Sequence, residues 1–167
     1  NVTINETSNA GTVYAINCTN FTVENVTLNK NEYGVYYRNT TLSTVQNFTA
    51  NNNMNGIVLD FSDQNTLNNS NSSYNLQNGV YLVDSNFNRL NNLTTDHNTQ
   101  AGILLVRSNN NTISNNTADY NHDGILVYQN SWNNTLVNNS ANNNQYYGIA
   151  IHNSPHNTIQ NNTMSGN

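Results

Sequence analysis

The chain has 167 residues, of which 35% are apolar, only 8% are charged and 44 are asparagine, with a net charge of −5. Disorder is not expected, because Val, Ile, Leu and Tyr return at fixed intervals and the net charge is low. Four scattered basic residues (Lys30, Arg38, Arg89 and Arg107) leave no footprint for nucleic acid. No apolar run approaches membrane-spanning length, and the lone Cys18 excludes an internal disulfide.

One repeating unit accounts for nearly the whole chain, so a single domain over residues 1–167 is expected, with the repeat clearest over 13–164. The first predicted strand opens at Val13, after Thr12. It returns behind a glycine as Gly34-Val-Tyr-Tyr, Gly56-Ile-Val-Leu, Gly79-Val-Tyr-Leu, Gly102-Ile-Leu-Leu, Gly124-Ile-Leu-Val and Gly148-Ile-Ala-Ile, every 22 to 24 residues. Period-two alternation places Val13, Val35, Ile57, Val80, Ile103, Ile125 and Ile149 inside, with Ala15, Tyr37, Leu59, Leu82, Leu105, Val127 and Ile151 beside them. The next strand centres on Val23, Val45, Leu67, Leu90, Ile113, Leu136 and Ile159. Two residues beyond it stands an asparagine in every coil: Asn25, Asn47, Asn69, Asn92, Asn115, Asn138 and Asn161. Asparagine tolerates a left-handed bend, and its amide can bond to an identical amide one strand away, so this column is expected to form an inward asparagine ladder. A third short strand follows, with Val26 and Leu28, Phe48 and Ala50, or Leu93 and Thr95 inside. Two more columns recur. Asn65, Asn88, Asn111, Asn134 and Asn157 form a partial second stack, and Cys18, Thr40, Ser62, Ser85, Ser108 and Ser154 form a row of small side chains.

These features predict an all-β solenoid, a parallel β-helix of about seven coils with three short strands each. Units such as Asn111-Thr-Ile-Ser-Asn-Asn-Thr-Ala and the Gly-Ile-x-Leu strands resemble the parallel β-helix repeat family, particularly NosD-like and CASH-type surface proteins. The resemblance implies a right-handed helix and an extracellular or cell-surface location. It leaves function open, since that family includes carbohydrate-acting enzymes, copper-delivery accessory proteins and structural modules.

The outward positions of the glycine strand form an apolar stripe: Tyr14, Tyr36, Val58, Tyr81, Leu104 and Leu126, flanked by Val83, Val106 and Tyr128. A contiguous exposed patch of this kind points to a contact surface. Acids are sparse on it. Asp60 neighbours Arg38 and Asp84 neighbours Arg107, which reads as ladder ion pairing, with Asp60 and Asp63 as the least implausible catalytic pair. No catalytic residue is assigned. His152 and His156 lack further soft ligands, so neither a metal nor another cofactor is expected. Asn25, Asn47, Asn92, Asn115, Asn138 and Asn161 all head Asn-x-Ser/Thr sequons, but an inward ladder amide cannot carry a glycan. That leaves Asn5, Asn39 and Asn110 as the glycosylation candidates.

No charged-then-apolar leader is read at Asn1, which suits a mature product or a fragment. Asn1-Val-Thr-Ile and Asn161-Asn-Thr-Met are read as the same point of the repeat, so copies could stack head to tail into an open fibre. The leading expectation is therefore a non-enzymatic surface subunit whose partner is itself, or cell-envelope components, in a filament, sheath or surface layer. The alternative is a carbohydrate-binding or polysaccharide-cleaving module, acting as a lyase or glycoside hydrolase if enzymatic. Ice binding is a third class, from the outward column Thr22, Thr44, Thr66, Thr112, Thr135 and Thr158, which Arg89 interrupts.

Overall fold

A computed structural model describes residues 2–5 and 11–167. Its strands form two parallel sheets that share one interior. The odd sheet holds β1 (Val2–Asn5), β3 (Phe21–Glu24), β5 (Thr44–Gln46), β7 (Thr66–Asn71), β9 (Arg89–Thr94), β11 (Thr112–Ser114), β13 (Thr135–Val137) and β15 (Thr158–Gln160). The even sheet holds β2 (Val13–Ile16), β4 (Tyr33–Arg38), β6 (Asn55–Asp60), β8 (Val80–Val83), β10 (Ala101–Val106), β12 (Asp123–Tyr128) and β14 (Tyr147–His152). Each strand pairs with the one a coil above, in the register Val13, Val35, Ile57, Val80, Ile103, Ile125, Ile149 that the sequence columns predict. The result is a right-handed β-solenoid of about six turns, slightly fewer than the coil count from sequence.

The third strand is shorter than expected. It shrinks to a line of single bridges through Thr27, Thr49 and Asn71 and, higher up, through Thr94, Thr117, Ser140 and Thr163. Only β7 and β9 run through the corner to join it. Its inward side chains are nonetheless buried as predicted, among them Val26, Leu28, Phe48 and Leu93.

The core is a set of columns. Leu59, Leu67, Leu82, Leu90, Ile103, Ile113, Ile125 and Leu136 have no exposed surface, and burying each such side chain stabilises the fold by about 1.5–3 kcal/mol. Gly79 is required by close approach. A Cβ there would lie 2.6 Å from the Gly102 carbonyl oxygen and 2.7 Å from that of Ser72, and backbone cannot give way.

The asparagine ladder exists, but not where the repeat first suggests. Asn25, Asn47, Asn69, Asn92, Asn115, Asn138 and Asn161 are all exposed, with φ between 49° and 57°. The left-handed bend is correct and the inward direction is not. A left-handed residue breaks the in-out alternation of a strand, so the residue after the corner turns inward instead. Amide contacts do run along parts of this outer row, as from Asn92 Nδ2 to Asn69 Oδ1 at 2.7 Å.

The buried ladder is the second stack. The Oδ1 atoms of Asn88, Asn111, Asn134 and Asn157 accept from the backbone N–H of Asn65, Asn88, Asn111 and Asn134 at 2.7–2.8 Å. Their Nδ2 atoms donate to the carbonyls of Ser62, Ser85, Ser108 and Ser131. In a further ladder the Oδ1 atoms of Asn75, Asn98, Asn121, Asn144 and Asn167 accept from the backbone N–H of Asn53, Asn75, Asn98, Asn121 and Asn144. The hydroxyl row is a third: Ser62, Ser85, Ser108, Ser131 and Ser154 each accept from the N–H one coil below. These side chains satisfy turn N–H groups that sheet pairing leaves over, groups that would be costly to bury unpaired.

The two ends do not correspond. Val2–Asn5 pairs with Phe21–Glu24 in the odd sheet, whereas Thr163 bridges Ser140 on the third face. The in-phase match between Asn1-Val-Thr-Ile and Asn161-Asn-Thr-Met therefore fails.

Candidate functional site

The outer face of the even sheet departs most from regular repetition. Its first outward column runs Tyr14, Tyr36, Val58, Tyr81, Leu104, Leu126, and its second runs Ile16, Arg38, Asp60, Val83, Val106, Tyr128, His152. The predicted stripe is thus one continuous surface, with two corrections. Val58 and Val106 are buried, at 4% and 8% exposure. Val58 sits in register between the larger Tyr36 and Tyr81, and Val106 beside the larger Tyr128.

At its lower end the face carries a tyrosine cluster. The rings of Tyr14, Tyr33 and Tyr36 lie 5.0–6.2 Å apart. Tyr36 donates its hydroxyl to Asp60 Oδ2 at 2.7 Å, and Arg38 Nε stands 3.7 Å from the same oxygen. A groove of about 300 Å³ lies beside this contact, bounded by Tyr33, Tyr36, Asn55, Asp60, Gln77 and Tyr81 above a floor of Val58 and Val83. Burial raises the pKa of Tyr33, Tyr36 and Tyr81, with Glu32 adding to the effect at Tyr33 and Asp60 at Tyr36. All three phenols therefore remain hydrogen-bond donors at neutral pH.

Higher on the same edge lies a second pocket of about 260 Å³, lined by Asn78, Thr99, Gln100, Ala101, Leu104, His122, Asp123 and Leu126. His122 Nδ1 lies 2.9 Å from Asp123 Oδ2, and the imidazole stacks on Tyr146 with centroids 4.5 Å apart. Amides link the two concavities: Asn55 donates to Gln77, and Asn78 donates to Asn55 and Gln100. The two concavities thus follow one another along the edge of the even sheet, with these amides between them. Repetition hid the dyad in the sequence, because His122 and Asp123 occupy positions held by Gln100 and Ala101 one coil below.

A larger concavity of about 390 Å³ opens on the third face among Asn47, Asn69, Asn71, Asn92 and their neighbours. It is lined by amides, hydroxyls and Phe48, with no titratable group, and lies where β7 and β9 run straight through the corner.

The remaining predicted residues fall into place singly. Asp84 makes a bidentate contact with Arg107, through Nε and NH2 at 2.8 Å each, as the ion-pair reading predicts. Of the two candidate acids, Asp60 accepts from Tyr36 and Asp63 from the backbone N–H of Asn86 at 2.6 Å. His152 packs edge-on to Tyr128, and His156 is exposed. Among the described residues no cluster of three or more His, Cys, Asp or Glu could hold a metal. Asn39 and Asn110 are exposed as expected, while the side chain of Asn5 lies outside the described residues. Exposure of the corner asparagines removes the reason for excluding their sequons.

The family model described as "Right handed beta helix region" matches residues 11–164. No curated protein matches the chain in sequence. Among solved structures the chain is similar to a periplasmic alginate epimerase, with 18% identity and a TM-score of 0.79, covering 90% of this chain and 46% of that one. It is also similar to a mannuronan C-5 epimerase A-module from Azotobacter vinelandii, with 16% identity, a TM-score of 0.71 and coverage of 92% and 55%. A tailspike protein of a Pseudomonas phage aligns at 15% identity with a TM-score of 0.65, over 93% of this chain and 32% of that one. The chain thus spans about a third to about half of these structures, and at this identity the likeness is one of fold.

Proposed function

Because the chain belongs to the right-handed β-helix family, we propose that it engages carbohydrate, taking a polysaccharide chain laid along the groove on the outer face of its even sheet. The observation that carries this reading is the Tyr33–Tyr36–Asp60–Tyr81 groove. Half-buried tyrosines offer apolar ring surface with a donor at the tip, and Asp60 supplies an acceptor beside them. The spread of the two concavities along the stack suits a linear polymer: from β4 to β12 is four strand spacings, about 19 Å. The epimerases and the tailspike among the solved neighbours support the same reading, and with it a place in or outside the cell envelope. Head-to-tail filament assembly is the weaker reading, because the solved neighbours include epimerases and a tailspike.

In a hydrolytic version Asp60 and Asp63 are the acids available, each already accepting one hydrogen bond, from Tyr36 and from the Asn86 backbone. Within an enzymatic version of the proposal, the group best placed to move a proton is His122, whose ring Asp123 orients. Affinity electrophoresis of the folded chain in gels containing soluble polysaccharides tests the binding reading. Retardation that Tyr36→Ala weakens at least about tenfold supports it, and free migration in every gel overturns it. Incubation with the retarding polymer, followed by sizing and NMR of the product, tests for turnover, which His122→Ala abolishes.

A further inference from the structure

The Asn-x-Ser/Thr sequons of the chain are sorted by exposure. Asn25, Asn47, Asn92, Asn115, Asn138 and Asn161 head sequons where the chain leaves the odd sheet. Asn20, Asn110 and Asn133 do so where it enters that sheet, and Asn17 and Asn39 at the same entry corner, just past β2 and β4. All of these side chains are exposed, each on a left-handed bend with φ between 48° and 57°. None of the buried asparagines heads a sequon. In-out alternation explains this for Asn65, Asn111 and Asn134, since the residue two further on is the inward Leu67, Ile113 or Leu136. It does not explain Asn75, Asn98 and Asn121, where that place is polar yet neither Ser nor Thr, being Gln77, Gln100 and Asp123.

The hydroxyls that complete the exit-corner sequons are not used by the fold, with one exception. They belong to Thr27, Thr49, Thr94, Thr117, Ser140 and Thr163, whose backbones form the single bridges of the third face. Parallel stacking favours a β-branched side chain there, which Val would supply equally well and which Ser140 does not supply. Among the described residues the threonine hydroxyls of this row make no hydrogen bond, and only Ser140 engages its own, toward Asp119. The constant feature is a hydroxyl two residues past an exposed amide, the pattern that N-glycosylation requires. The amides have room for substitution. Asn92 donates one hydrogen to Asn69 Oδ1, Asn138 one to Asn115 Oδ1 and Asn39 one to Asn17 Oδ1, which leaves a second hydrogen on each.

The opposite edge is bare. The turn from the third face into the even sheet, with Asn52, Tyr74, His97, Tyr120 and Asn143 at its bend, carries no sequon. The two concavities lie beside it, at Tyr33, Asn55 and Gln77 and at Gln100 and His122. We infer that the two corners flanking the odd sheet are acceptor rows for N-linked glycans, which cover that side of the stack and leave the edge with the concavities open. In each transfer the Asn Nδ2 bonds to the anomeric carbon of an oligosaccharide carried on a lipid phosphate or pyrophosphate. The bond from that carbon to the phosphate oxygen breaks, the lipid phosphate leaves with the electron pair, and one amide proton is released. The inference rests on the place in or outside the cell envelope proposed above, and not on carbohydrate binding by the even sheet.

Glycopeptide mapping of the full chain secreted from a eukaryotic host behind a cleavable leader, beside unmodified chain made in the bacterial cytosol, tests the inference. Glycans are expected at both corners, on a protein whose far-UV circular dichroism matches that of the unmodified chain. Thr49→Val and Thr117→Val should remove the glycan of Asn47 and of Asn115 and leave the urea midpoint of the unmodified chain unchanged. A midpoint lowered by either substitution assigns the hydroxyl to the fold and overturns the inference. Folded, secreted protein without glycan at either corner overturns it and leaves the location reading intact, and glycans that unfold the stack overturn it as well. Fractionation of the source cells tests the location separately: native chain confined to the cytoplasm overturns that reading, and the native use of the rows with it.

Discussion

Two rows of asparagine climb the same stack with opposite roles. The corner row, Asn25 to Asn161, is exposed and present for its backbone, since each member holds φ near 55°. The row from Asn65 to Asn157 is present for its side chain, since each amide bonds to a neighbouring coil from inside the fold. One residue type thus solves two problems: a left-handed bend costs asparagine little, and a buried turn N–H needs a short, fixed acceptor. A column of identical residues shows that stacking matters at that position, and not which property of the residue is being used.

Substitution separates the two uses. Asn111→Leu removes the acceptor for Asn88 N–H and the donor to Ser85 O, leaving both buried and unpaired. A loss of about 2–4 kcal/mol in urea unfolding is expected. Asn115→Ala, four residues on and exposed, should cost only about 1 kcal/mol, and Asn115→Gly close to nothing, because only the left-handed conformation is taxed. Equal losses at Asn111 and Asn115 would collapse the distinction.

Tyr37 provides the converse case, a buried polar group outside any ladder. It is fully buried, its hydroxyl has no partner, and burial drives its pKa far up. Tyr37→Phe should therefore stabilise the fold by about 1 kcal/mol, read as a higher urea midpoint at unchanged slope.

The smallest effect concerns Asp96, which stands in an outer turn row with Asn51, Ser73, Asp119 and Asn142. Its folded pKa is raised from 3.8, first by burial and then by the charge of Asp119. A carboxyl with a raised folded pKa binds its proton more tightly when folded, so stability falls as pH rises from 3.8 through the folded value. Asp96→Asn should raise Tm slightly at pH 7 and leave it unchanged well below pH 3.8, by calorimetry at both pH values. A benefit that persists at low pH would place the cause elsewhere.

The outer faces repeat the lesson on a larger scale. The odd sheet presents Thr22, Thr44, Thr66, Thr112, Thr135 and Thr158 in one row broken by Arg89, a regularity that stacking of β-branched residues explains. The even sheet presents tyrosines, an aspartate, aliphatic residues and a histidine–aspartate contact in no fixed order. Irregularity there is the stronger sign of a binding surface, because stacking alone does not call for it.

The sequence by itself determined the repeat, the strands of the two sheets, their register and the inward apolar columns, because a side chain's place in a parallel stack depends only on its offset within the coil; that the third strand shrinks to single bridges came from the structure. It also placed Asp60 beside Arg38 and Asp84 beside Arg107, which are one coil apart. It could not decide which asparagine column faces inward, because parity counts only along a straight strand and each left-handed corner resets it. The ladder from Asn53 to Asn167 stayed hidden because its members precede the next glycine by three residues in some coils and four in others. Nor could it bring out the pocket beside His122 and Asp123, which depends on what neighbouring coils place around it. Only the tertiary structure settles that, since burial and hydrogen bonding are properties of the stack and not of the coil.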